Sequence, residues 1–251
     1  MKKSFVSFFL VSFASTGFAD VISIRGDFWC PYNCASGTDQ LGYMIEVARE
    51  IFEKHGHKIE YKELNWSRSL EECRGGEVTA VVGANESDAK DFVRTALPLG
   101  VSQNCFFGQE SQQWKYQGEK SLSGIVVGVV KDYAYGEPTD SYIKAHGDDP
   151  KKVEVISGEN VMERNAKKVS EGRVGVLLED RNVVNFFLAT HDQFKLKEIG
   201  CLEKVPLFIA FSPKNPKSKS YARLLSDGLK QMRKNGRLKS ILEKYHVKDW
   251  N

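Results

Sequence analysis

Three familiar catalytic signatures are missing from this chain of 251 residues: a Gly-x-Ser-x-Gly elbow, a Gly-rich phosphate loop and a His-Glu-x-x-His pair. Without them the sequence offers no activated serine, no phosphate cradle and no metalloprotease zinc site. An excess of one charge is missing too. Lys and Arg total 36 against 33 Asp and Glu. Without Lys2 and Lys3, 34 basic residues face the same 33 acids. That balance gives no electrostatic reason to expect nucleic acid or an anionic membrane as a partner. Beyond residue 20 no apolar run nears the roughly 20 residues that a membrane-spanning helix needs. The histidines are scattered, and His55-x-His57 at a helix end makes no metal site by itself. No metal or cofactor is expected.

The first residues carry an address instead of a fold. Lys2 and Lys3 precede an apolar core from Phe5 to Phe13, and small Gly17 and Ala19 flank a cut before Asp20. This is the layout of a cleaved secretory signal peptide over residues 1–19. A soluble periplasmic protein is expected. Five cysteines, at 30, 34, 73, 105 and 201, then enter an oxidising compartment, where the odd count leaves one thiol unpaired. Cys30 with Cys34 is the best local pair, because Pro31-Tyr32-Asn33 can turn the chain between them. Their C-x3-C spacing argues for a structural bridge over a redox one. Cys105 with Cys201 is a second pairing.

Val21 to Arg25 reads as a strand. A loop dense in special residues follows, Asp27-Phe28-Trp29-Cys30-Pro31-Tyr32-Asn33-Cys34. Met44, Val47, Ala48, Ile51 and Phe52 then recur at helical spacing up to Gly56. Strand, loop and helix begin an open α/β sheet, and such sheets hold ligands in the loops at the carboxyl ends of their strands. The plan repeats through Lys58–Leu64, a helix capped by Ser67 or Ser69, and the apolar run Val78–Gly83. It begins again at Ile125–Val130 and continues through Val153–Ile156, a helix over 159–171, and Val174–Leu178. A short helix is expected after Asn85, and Leu196–Ile199 and Val205–Phe211 read as separate strands. Two closing helices carry Leu225, Leu229 and Met232, then Leu238, Ile241 and Leu242. A chain that builds one α/β unit, crosses to a second and returns makes two lobes, with crossings near Asn104–Gln109 and Val205–Phe211.

At this point the chain resembles the bacterial solute-binding family 3, the type II periplasmic proteins that serve polar amino acid importers. The likeness rests on Trp29-Cys30-Pro31-Tyr32, Gly42-Tyr43-Met44-Ile45-Glu46-Val47-Ala48 and Trp66-Ser67-Arg68-Ser69-Leu70. Leu122 to Val129 and the closing Gly236-Arg237-Leu238-Lys239-Ser240-Ile241-Leu242 complete it. The resemblance implies an α/β fold of two lobes, each an open mixed sheet flanked by helices, joined by two hinge crossovers. Lobe one would comprise residues 20–105 with 210–251, and lobe two residues 106–209. It further implies a monomer that captures a small polar solute and delivers it to an ABC transporter permease in the inner membrane. A cleft enzyme resembling cyclohexadienyl dehydratase, or a periplasmic sensor input, are the other classes open to this fold. Many family members carry Thr-x-x-Arg after the third strand, where the Arg forks onto a carboxylate. Here Ser87-Asp88-Ala89-Lys90 stands instead, and Lys is no bidentate equivalent.

Each candidate site residue has a plainer reading beside the functional one. Trp29 and Tyr32 stack on a ligand or pack beneath their loop. Trp66 is core or cleft wall, and Arg68 beside it faces an anionic group or solvent. Asn85 and Glu86 bind or cap a helix, and Tyr133 grips from the second lobe or covers a helix end. Asp180, with Glu179 before it, pairs with a ligand ammonium or caps the next helix. Should the chain be an enzyme, Glu86, Glu179 or Asp180 is its general acid.

Overall fold

A computed structural model describes residues 19–250. The expected signal peptide, Ala19 apart, lies outside the described residues. Among these no helix is long and apolar enough to cross a membrane.

The first half grows from β1 (Val21–Gly26), which pairs in parallel with β2 (Lys58–Glu63) on one side and β3 (Ala80–Ala84) on the other. Strand alternation sends Ile22 and Ile24 inward, both 0% exposed. Helix α1 (Tyr43–Lys54) lays Met44, Val47, Ala48, Ile51 and Phe52 on that core. Burying each large side chain contributes about 1.5–3 kcal/mol before conformational entropy is set against it. Helix α2 (Trp66–Gly75) is capped by Asn65 and not by Ser67 or Ser69. It stops at Gly76, whose φ of 89° is left-handed and suits glycine. No helix follows Asn85; that stretch is turns leading to the two-residue β4 (Val93–Arg94).

The second half is built on β5 (Gly100–Gln109), β6 (Val127–Val130), β7 (Val153–Ile156) and β8 (Val176–Asp180). Strands β6, β7 and β8 are mutually parallel, and β5 runs antiparallel to β8. Strand β8 is buried at every position, as its continuous apolar run foretells for a parallel strand covered on both faces. Helices α3 (Glu119–Leu122), α4 (Thr139–His146), α5 (Val161–Ser170) and α6 (Arg181–Thr190) accompany these strands.

The stretch 196–211 departs from expectation. It forms one strand, β9 (Leu196–Phe211). From Leu196 to Leu207 it pairs with β5, and from Phe208 to Phe211 with β3, both antiparallel. The two half-sheets are therefore one hydrogen-bonded path, β2-β1-β3-β9-β5-β8-β6-β7, with β4 also on β9. The break at residues 200–204 that reads as a gap between strands is only a partly exposed part of the same strand. Helices α7 (Ser218–Lys234) and α8 (Arg237–Lys244) return to pack on α1. Gly228 makes that approach possible, since a Cβ there would stand 2.5 Å from Ile51 Cγ2.

Both expected disulfides, Cys30–Cys34 and Cys105–Cys201, are formed, and Cys73 is a buried free thiol. Burial pushes the Cys73 thiol up to about 12, which leaves it unreactive at neutral pH.

Candidate functional site

The carboxyl ends of β1, β3 and β8 converge where the halves meet. The loop after β1 is closed by the Cys30–Cys34 bridge and by a backbone pair between Trp29 and Asn33. This fixes Trp29 and Tyr32 against each other as stacked rings 4.4 Å apart. Trp29 lies over β3 at Gly83, where a Cβ would come within 3.3 Å of the indole and φ is +85°. Only glycine meets both conditions there. From the other half, the loop after β6 brings in Tyr133, which meets Trp29 edge-on at 6.5 Å and Trp66 edge-on at 6.3 Å.

These three rings wall a narrow cavity with Asp27, Val82, Gly83, Asn85, Asp88, Ser102, Asn104, Ala134 and Leu207. It measures about 30 Å³, room for one or two water molecules. An open groove of about 600 Å³ adjoins it, sharing Asp88, Tyr133 and Ala134.

Hydrogen bonds span the halves around the cavity. Trp29 Nε1 donates to Glu179 Oε1 at 3.0 Å, and Asn85 Nδ2 donates to the Ala134 carbonyl at 3.0 Å. Tyr133 Oη donates to Asp27 Oδ2, and Ser67 Oγ to Asp132 Oδ2. A further set lies behind the rings. Tyr32 Oη stands 3.0 Å from the Val101 carbonyl and 3.2 Å from Asp180 Oδ2, and accepts from Asn182 Nδ2 at 2.9 Å.

Of the expected site residues, Trp29, Trp66, Asn85 and Tyr133 line the cavity together. Tyr32 is 0% exposed and sits behind Trp29 as part of the packing. Asp180 is also 0% exposed, and every part of its carboxylate is engaged. Oδ2 accepts from Ser102 Oγ (2.7 Å), Gln103 N (2.9 Å) and Tyr32, while Oδ1 accepts from Asn182 N and Val183 N at the start of α6. The helix-capping reading is the one realised here. Arg68 turns to solvent with its side chain 67% exposed and pairs with Glu72 at 2.8 Å. Glu86, 66% exposed, pairs with Arg94. Neither lines the cavity.

Two acids that the sequence reading does not single out, Asp27 and Asp88, line the cavity, and Glu179, which it does, is buried beside it on Trp29 Nε1. Burial pushes Asp27 up to about 6 against the pull of its Tyr133 hydrogen bond. Burial pushes Asp88 up to about 7, opposed by the Asn85 backbone N–H, which donates to Oδ2 at 2.9 Å, and by the nearby Ala134 amide. Burial drives Glu179, 3% exposed, up to about 8 despite its bond from Trp29. Desolvation dominates each because no salt bridge neutralises it. Two buried polar atoms on the lining also lack partners: Trp66 Nε1 and Asp88 Oδ1. Asp27 and Asp88 could have been noticed in the sequence, two residues before Trp29 and three after Asn85. Ser102 and Asn104 on β5 carry no local signal, because only the pairing of β5 with β8 and β9 brings them here.

No curated protein matches the sequence. Among solved structures the chain is similar to one described for glutathione import in Gram-positive bacteria via GshT and the cystine ABC importer TcyBC of Streptococcus mutans. That match has TM-score 0.75 and 15% identity, over 91% of this chain and 95% of that one. A histidine kinase sensor domain with similarity to periplasmic binding proteins matches at TM-score 0.74 and 18% identity, covering 90% and 95%. The ancestral amino acid-binding protein AncCDT-1, a precursor of cyclohexadienyl dehydratase, matches at 0.67 and 17%, covering 90% and 95%. At such identities these likenesses establish the type II periplasmic-binding fold and leave importer, sensor and enzyme undivided. The sequence model that matches covers residues 22–248. The chain belongs to the bacterial extracellular solute-binding proteins, family 3.

Proposed function

We propose that this protein captures a small polar solute between two lobes in the periplasm and presents it, as a monomer, to an ABC importer in the inner membrane. Residues 20–105 with 210–251 form one lobe and 106–209 the other. The observation that carries this reading is the aromatic cavity whose walls come from both halves, with Trp29 and Trp66 from one and Tyr133 from the other. A solute gripped from both sides binds the closed arrangement better than the open one, so binding shifts the population toward closure. Closure is then the signal that the importer reads. Small-angle scattering of the secreted protein, with and without a solute found by thermal shift, tests this: the bound radius of gyration is the smaller. An unchanged radius at saturation overturns it.

A second reading, a cleft enzyme, is favoured by Glu179. A buried carboxyl raised to about 8 holds its proton at neutral pH, the state a general acid requires. Mass spectrometry of the solute after incubation separates the two, since a transport protein returns it unchanged.

A further inference from the structure

We propose that the solute is a small organic cation without a carboxylate group, its ammonium or amidinium head seated against Asp27 and Asp88 inside the Trp29, Trp66 and Tyr133 walls. This rests on the solute-binding reading and names its substrate class.

The lining contains two acids, Asp27 and Asp88, and neither Lys nor Arg. The groove's basic residues, Arg74 and Lys214, stand outside the cavity lining, and Arg74 is held by Asp91 in a two-point ion pair at 2.8 and 3.1 Å. Arg68 and Arg94 are likewise spent on Glu72 and Glu86. A carboxylate entering this cavity would meet like charge and no fork to receive it. A cation would meet the reverse. The charged groups facing these carboxyls are acids as well: Glu63 acts on Asp27, Asp140 and Asp27 act on Asp88, and Asp180 and Asp27 act on Glu179.

Independent of charge, the cavity has an unused acceptor and an unused donor. Asp88 Oδ1 is buried without a donor, and Trp66, 5% exposed, has its Nε1–H buried without an acceptor. Buried polar atoms are seldom left so, because each unmet one has given up its hydration for nothing in return. An N–H of the head group answers Asp88. A hydroxyl, ether or second nitrogen on the same molecule answers Trp66. The rings complete the fit: Tyr133 stands near perpendicular to both indoles, at 78° and 84°. A cation that reaches any of these ring faces meets the negative side of its π-system. A head group small enough for this cavity can extend its substituent into the groove past Asp88 and Tyr133.

The test is titration of the secreted protein with matched pairs that differ by one carboxylate: agmatine and arginine, cadaverine and lysine, histamine and histidine, ethanolamine and serine. Choline, glutamate and succinate are added. At least one amine should bind tenfold or more tightly than its amino acid, and its affinity should fall tenfold or more from pH 8 to pH 5.5. The sign follows from Asp88 and Asp27, which lose their charge as pH falls through about 7 and about 6 respectively. Asp88→Asn should weaken amine binding at least tenfold with an unliganded melting temperature no lower than the parent's, and Asp27→Asn provides a second, independent variant. Tighter binding of an amino acid or dicarboxylate overturns the inference while leaving a solute-binding protein in place. Amine binding indifferent to both variants overturns it too, because the cation is then held elsewhere. If no probe binds but the low-molecular-weight filtrate of a periplasmic extract still stabilises the protein, the cation class is wrong and the broader reading survives. If nothing stabilises it, both fall.

Discussion

Two acidic places lie back to back between the halves, and they are opposites. Around Asp180 every oxygen is answered, by Ser102, Gln103 N, Tyr32, Asn182 N and Val183 N. Around Asp88 and Trp66 a buried acceptor and a buried donor go unanswered. The first arrangement fixes β5, β8, α6 and the β1 loop relative to one another. The second leaves interaction energy that only a further molecule can realise. Similar residue types thus do different work: a saturated acid holds the fold, and an unsaturated one is free to bind.

The largest effects should come from the saturated side. Tyr32→Ala removes a ring that is 0% exposed and stacked on Trp29, and should cost about 3–5 kcal/mol of stability. Asp180→Ala strands buried donors from β5 and α6 and should cost about 3 kcal/mol or more. Denaturant midpoints at constant slope check both. A Tyr32→Ala protein of unchanged stability would return that ring to the binding wall.

Next comes the bridge beside this cluster, where Cys105 faces Glu179 and Asn104 faces Asp180 across the sheet. The Cys105–Cys201 link closes a separation of 96 residues. Replacing both by Ala should lower stability by about 2–4 kcal/mol, chiefly by freeing the unfolded chain. Thermal unfolding with and without reductant measures it, and the double variant should ignore the reductant at this bridge.

The unsaturated side should show itself in pH. The folded-state pKa of Asp88 is raised to about 7, so the folded protein keeps a proton that the unfolded chain releases near pH 4. Its contribution is therefore fully present below about pH 4 and is lost as pH rises through about 7. Asp88→Asn removes that loss. Relative to the parent, the variant should gain at least about 1 kcal/mol between pH 5 and pH 8. Parallel stability curves would place Asp88 in water.

Smallest of all are Arg68→Ala and Glu86→Ala. Both side chains are exposed and paired only at the surface, so stability should move by less than about 0.5 kcal/mol and solute affinity by nothing measurable. A clear loss of affinity would bring Arg68 back to the site.

How much of this was legible in the chain depended on distance along it. Trp29, Trp66, Asn85 and Tyr133 were found because each sits just past a strand whose apolar run is plain, and that position alone points to the cleft. Tyr32 and Asp180 occupy equally good positions yet point elsewhere. Tyr32 is turned inward by the Cys30–Cys34 loop, and Asp180 is claimed by the amides that open α6. Arg68 turns to solvent because one turn of helix places Glu72 within its reach.

By itself, the sequence determined most of the elements, their α/β order and the two candidate disulfide pairs, since these follow from periodicity, punctuation and cysteine placement. Tertiary structure alone decided that β9 is one strand shared by both half-sheets, because pairing with β5 and then β3 satisfies a backbone whose side chains look like a loop. It alone also decided which acids are free. Whether a carboxylate is saturated depends on donors tens of residues away, such as Ser102 for Asp180, and local sequence carries no record of them.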